Sequence, residues 1–88
     1  MAQLGADVEQ LDTLARRFEE ECGAIESMIG RVAGQIGNTW WQGPDAERFK
    51  ADWEGTFSAQ LRQIGQALRD TGTAVQRQAT SQREASNA

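Results

Sequence analysis

Ten residues of the first half, Leu4, Val8, Leu11, Ala15, Phe18, Cys22, Ile25, Ile29, Val32 and Ile36, follow one another at alternating steps of four and three. Steps of that size keep returning to one side of an α-helix, so this half must lay a single long seam against a partner surface. Gly37 and Asn38 close the pattern, and both tolerate a left-handed helix cap. Thr39-Trp40-Trp41-Gln42-Gly43-Pro44 follows as a break. Pro44 suits a first helical position, and Asp45 and Glu47 put negative charge at the positive end of a helix dipole, so a second helix starts here.

Phe49, Trp53, Phe57, Leu61, Ile64, Leu68 and Val75 continue at helical spacing, although the run of fours from Phe49 to Leu61 departs from a strict heptad. The pattern predicts an all-α chain in three parts: a helix over about 5–37, a turn over about 38–44 and a helix over about 45–79. Residues 80–88 offer no large apolar group to offset the entropy of ordering and are expected as a flexible tail. A connector of about six residues makes the two helices antiparallel neighbours, with Leu11, Phe18, Ile25, Val32, Phe49, Trp53, Leu61, Ile64 and Leu68 as the core of the hairpin.

With the turn centred near position 42, residue i is expected across from one near 84 minus i. Glu21 and Glu26 then fall near Arg62, Asp12 near Arg69 and Asp7 near Arg77. Charge segregation agrees, since residues 1–44 hold seven acids against three bases and residues 56–88 hold four arginines against two acids. Exposed pairs are worth about 0–1 kcal/mol each, so they select register more than they stabilise.

A second stripe, Gly23, Ser27, Gly30, Gly34 and Gly37, lies on another face of the first helix. Each helical glycine costs about 1 kcal/mol against alanine, and close approach of another backbone gives them a reason; flexibility near the turn is the alternative. Gly65 and Gly72, one heptad apart, suit a similar contact. A two-helix hairpin has one internal interface and leaves apolar edges such as Leu14 and Met28 bare, so a second hairpin completing a four-helix bundle is expected, with the glycine stripe as its close-approach seam.

The same composition narrows the chemistry. A net charge of −4 disfavours nucleic acid, whose binding relies on Lys and Arg displacing counterions, and disfavours an anionic membrane equally. There is no histidine, and one cysteine, so the usual zinc sites and catalytic triads cannot be assembled; no enzyme activity, metal or cofactor is expected. Cys22 sits on the seam, where a small buried hydrophobe is the expected role, and Glu19, Glu20 and Glu21 read as a solvated face. The first residues, Met1-Ala2-Gln3-Leu4-Gly5, carry no basic segment, so no classical secretion signal is expected.

Two helices around a central Trp-X-Gly turn (Trp41-Gln42-Gly43), with aromatic residues shortly after it (Phe49, Trp53), make a chain of 88 residues that resembles the WXG100 family, the ESAT-6-like proteins. The resemblance covers essentially the whole chain. It implies a non-enzymatic substrate and dimeric adaptor of a type VII (ESX) secretion system. Such a protein is cytoplasmic before export, leaves without a cleaved signal peptide as a homodimer or heterodimer with another WXG100 protein, and is engaged by an FtsK/SpoIIIE-type ATPase. Trp41, Gln42 and Gly43 would form part of the export surface.

The family's tail signal, a Tyr before Asp or Glu (YxxxD/E), cannot be present in a chain with no tyrosine; Thr80 to Glu84 keeps only the spacing and the acid. This chain is then the partner without the signal, or a member with a different signal, or an unexported escort. Outside the family stand a cytoplasmic helical interaction module and a membrane-active secreted effector, the latter disfavoured by the acidic charge.

Overall fold

The computed structural model describes residues 5–87, the side chain of residue 87 excepted; Leu4 of the heptad and Ala88 of the tail lie outside them. The chain is an antiparallel helical hairpin. Its first arm is α1 (Val8–Gly37). The return arm comprises α2 (Pro44–Asp52), one π-helical turn (Trp53–Phe57) and α3 (Ser58–Asn87).

Asp7 starts α1 by accepting the Gln10 N–H on its carboxylate at 3.0 Å, which satisfies one of the unpaired amides of the first turn. At the other end Asn38 has φ −94° and ψ 1°, so the helix stops without the left-handed cap expected at Gly37 and Asn38. Backbone bonds from Asn38 to the Gly34 carbonyl and from Thr39 to the Ile36 carbonyl close it, and the Thr39 hydroxyl donates to the Gln35 carbonyl at 2.6 Å. With these carbonyls satisfied, no positive φ is needed.

The expected seam of α1 faces the return arm, but the side chains that vanish from solvent are mostly small. On α1 the buried ones are Ala15, Cys22 and Ile29. Opposite them, Ser58, Gly65, Gly72 and Ala79 recur every seven residues along α3 and are all buried. Leu11, Phe18, Ile25, Val32, Trp53, Leu61 and Leu68 flank this line half-buried, whereas Phe49 and Ile64, expected in the core, are exposed.

The glycines of α3 set the spacing of the hairpin. A Cβ on Gly72 would sit 3.1 Å from Phe18 Cβ and 3.2 Å from the Ala15 carbonyl oxygen; one on Gly65 would meet Cys22 Sγ at 3.7 Å. Hydrogen in place of a side chain lets the backbones approach, which repays the roughly 1 kcal/mol that each helical glycine costs. Cys22 fills the notch over Gly65 with 2 % of its surface exposed, the buried role expected of it.

Register differs from the expectation. Cys22 lies against Gly65, Ala15 against Gly72 and Asp12 against Gln76, so residue i faces one near 88 minus i, about four residues from the expected alignment. Asp12 therefore pairs with Arg83 rather than Arg69 and also accepts from Gln76 Nε2 at 3.4 Å; none of the other expected cross-arm ion pairs forms among the described residues. The turn is lopsided: by this alignment the start of α2 runs past the end of α1, and residues 38–43 return alongside it.

Residues 80–87, expected as a flexible tail, continue α3. Ala79 is fully buried, Gln82 is half-buried, and Arg83 reaches back to Asp12. A polar segment is thus held by a small apolar anchor and an ion pair, which a search for large apolar residues overlooks. The Arg83 guanidinium, hydrogen-bonded to Asp12, holds that carboxyl below the usual carboxylate range. A folded-state pKa below the unfolded one means that the pair stabilises at neutral pH and that its contribution disappears as pH falls through the folded value. In acid titrations followed by circular dichroism, Asp12→Asn should be less stable than the wild type at neutral pH. The difference should shrink below the ordinary carboxylate pKa, and a gap that stays constant with pH would exclude this linkage.

The run of fours from Phe49 to Leu61 is resolved by the π turn. Residues turned inward follow Ala46, Lys50, Trp53, Ser58, Leu61, Gly65, Leu68, Gly72, Val75, Ala79 and Gln82, with steps of three and four except for one of five between Trp53 and Ser58. An i→i+5 turn takes up the extra residue. The Ser58 N–H and hydroxyl both donate to the Trp53 carbonyl, the hydroxyl at 2.6 Å, so the buried Ser58 is satisfied.

The rod measures 65 × 20 × 18 Å and has a radius of gyration of 19.7 Å, against about 12 Å for a compact domain of this length. Its accessible surface is 6791 Å², about 1,700 Å² more than the scaling for compact monomers of this mass gives. Ile29 is the only large aliphatic side chain buried among the described residues, and one such burial is worth about 1.5–3 kcal/mol.

Candidate interaction site at the turn

Gly43 is the hinge. It precedes α2 with φ 118° and ψ 174°, a combination essentially restricted to glycine, and its carbonyl accepts the Glu47 N–H at 3.0 Å. Pro44 follows at the first helical position, where its missing N–H costs nothing. Only glycine at 43 permits the backbone to leave the extended loop and enter the helix at this angle.

The loop lays Trp41 beside α2. Its ring centroid lies 5.5 Å from that of Phe49 at an interplanar angle of 45°, a favourable tilted aromatic pair, and the Lys50 ammonium donates to the Trp41 carbonyl at 3.4 Å. Trp41 keeps 41 % of its surface exposed and Phe49 37 %, while the neighbouring Trp40 is 85 % exposed. Gln42 is exposed between them. The tip of the rod therefore presents indole and phenyl surface fixed by a glycine hinge, an arrangement suited to binding a partner. Spacing predicts Phe49 in the core; the π turn rotates α2 relative to α3 and leaves Phe49 exposed, and the run of fours is the signal for it.

The remaining predicted site residues are apart from this cluster. Gly23, Ser27, Gly30, Gly34 and Gly37 form an exposed stripe along α1, and a Cβ on any of the four glycines would meet nothing within 4 Å. They make no close approach within the chain; Gly65 and Gly72 do. Among the described residues no cluster of three or more metal-ligating side chains occurs, and no helix is long and apolar enough to cross a membrane.

No protein-family model, curated protein or solved structure matches the chain.

Proposed function

We propose that the chain is a WXG100-type protein: a non-enzymatic substrate and dimeric adaptor of a type VII secretion system, which pairs with itself or another hairpin of the family. The observation that carries this reading is the Trp41-Gln42-Gly43 bend at the tip of an antiparallel hairpin. Gly43 occupies a backbone conformation reserved for glycine, and Trp41 lies half-exposed on Phe49. A tryptophan held by one face and open on the other is a typical anchor for a partner protein. The bare length of the rod and its thin core favour association. Because the chain has no tyrosine, a different partner hairpin would supply the YxxxD/E half of the export signal for the FtsK/SpoIIIE-type ATPase to read, whereas a self-paired form relies on a different signal.

The test is immunodetection of the protein in culture supernatant with and without the secretion ATPase. Export should require the ATPase, and Trp41→Ala should lower it about tenfold or more while the hairpin stays helical, the loss expected for one anchor residue. ATPase-independent appearance, or retention in the cytoplasm in both strains, would defeat the secretion reading and leave a helical interaction module.

A further inference from the structure

In a chain of net charge −4, one stretch of surface carries the opposite sign. Arg16 from α1 and Arg69 and Arg77 from α3 border a groove of about 670 Å³, a size usual for ligand sites, with Glu19 as the one acid of its lining. Its floor is Ala15 and Gly72, the small residues that let the helices approach, and their smallness also leaves room above them. None of the three guanidiniums forms an ion pair among the described residues; Arg16 donates to the Thr13 hydroxyl at 3.4 Å. The groove lies on the opposite side of the rod from the apolar one formed by Leu14, Phe18 and Leu68, so filling either leaves the other open.

Between the arginines the lining offers acceptors rather than donors. The hydroxyls of Thr73 and Thr80 donate to the Arg69 and Gln76 carbonyls, both at 3.1 Å, and Gln76 turns its Nε2 to Asp12 at 3.4 Å. What each of these side chains keeps for a ligand is its oxygen.

We infer that this groove binds an extended acidic peptide segment of a partner protein, with carboxylates on Arg69 and Arg77 and backbone N–H groups on the oxygens between them. Arg69 and Arg77 are eight residues apart on one helix, about 12 Å along its axis. Carboxylates four residues apart on an extended chain share a face and are separated by about 13 Å. Arg16 stands about level with Gly72, between the two, on the other wall. An extended segment brings free N–H donors, whereas a helix has spent its own internally. A phosphate chain carries acceptors alone and would set them against Thr73, Thr80 and Gln76; a long polyanion such as nucleic acid also meets the repulsion of the whole acidic chain. The groove belongs to a single hairpin, so its occupation depends neither on export nor on the pairing of hairpins.

Glu19 is the built-in competitor. In the observed register it stands across from Arg69, so its carboxylate contends with a peptide carboxylate for that guanidinium. Removing the charge of Glu19 therefore strengthens binding, opposite in sign to removing an arginine.

The test is an NMR titration of the isotope-labelled full chain with a blocked pentapeptide that has glutamate at its first and fifth positions and serine between. The Nε–H signals of Arg16, Arg69 and Arg77 should shift saturably, and the same peptide with glutamine for glutamate should leave them in place. Arg69→Gln and Arg77→Gln should each weaken binding about threefold or more, the scale of an exposed charged pair, and Glu19→Gln should tighten it about twofold or more. Arg31→Gln, outside the groove, removes the same charge and should change the affinity little. All four side chains are exposed, so the variants keep the helical hairpin, which circular dichroism checks. Equal weakening by Arg31→Gln, or weakening by Glu19→Gln, overturns the groove. Tripolyphosphate that shifts the same arginines and binds more tightly than the peptide overturns the peptide in favour of a phosphate ligand. No saturable shift at millimolar peptide overturns the site.

Discussion

Gly72→Leu should abolish the cooperative thermal transition of the hairpin or lower its stability by about 3 kcal/mol or more, at the upper end of what overpacking costs. The first atom of the new side chain would lie 3.1 Å from Phe18 Cβ and 3.2 Å from a backbone oxygen of Ala15, and the rest of the leucine has no space beyond them. Helix α3 must lift away from α1, which also opens the contact of Gly65 with Cys22. Gly34→Ala is the counterpart on open surface. Its Cβ meets nothing, so the variant should gain about 1 kcal/mol from helix propensity alone. Thermal or urea denaturation followed by circular dichroism reads both, and a Gly72→Leu variant as stable as the wild type would falsify the close approach.

Gly43→Val should cost about 1–3 kcal/mol if the loop keeps its path, because a β-branched residue is forced to φ 118° and ψ 174°. If the loop escapes the strain instead, Trp41 leaves Phe49, and export should fall as far as it does for Trp41→Ala with the shaft still folded. Comparing the denaturation midpoint with tryptophan fluorescence distinguishes the two routes. A variant unchanged in stability, fluorescence and export would show that the hinge conformation is dispensable.

The hairpin itself was legible in the sequence because α1 announces its seam with large side chains at heptad spacing. The return arm hides its own. Ser58, Gly65, Gly72 and Ala79 recur at steps of seven, yet three are glycine or alanine and the fourth is polar, so a search for large apolar residues selects their neighbours Leu61, Ile64 and Leu68. The register departs from the expectation because a bend centred on Gln42 predicts symmetric arms, whereas the hinge at Gly43 sends the loop back alongside α2. Asp12 consequently found Arg83, in a segment expected to be loose. At the tip, the residue types of Trp41 and Gly43 were readable, but the pairing of Trp41 with Phe49 depends on how far the backbone rotates between Phe49 and Leu61, which spacing alone leaves open.

That rotation gives the π turn a meaning beyond accommodating an irregular spacing. It works as a phase adjuster between two parts of one rod: the aromatic tip is clocked against the shaft by the single surplus residue between Trp53 and Ser58. One residue more or less in that stretch swings the tip by about 100° about the long axis and carries Ala46, Lys50 and Trp53 off the line that faces inward. The surplus residue therefore keeps one inward line continuous from tip to shaft, and its deletion should unseat the tip.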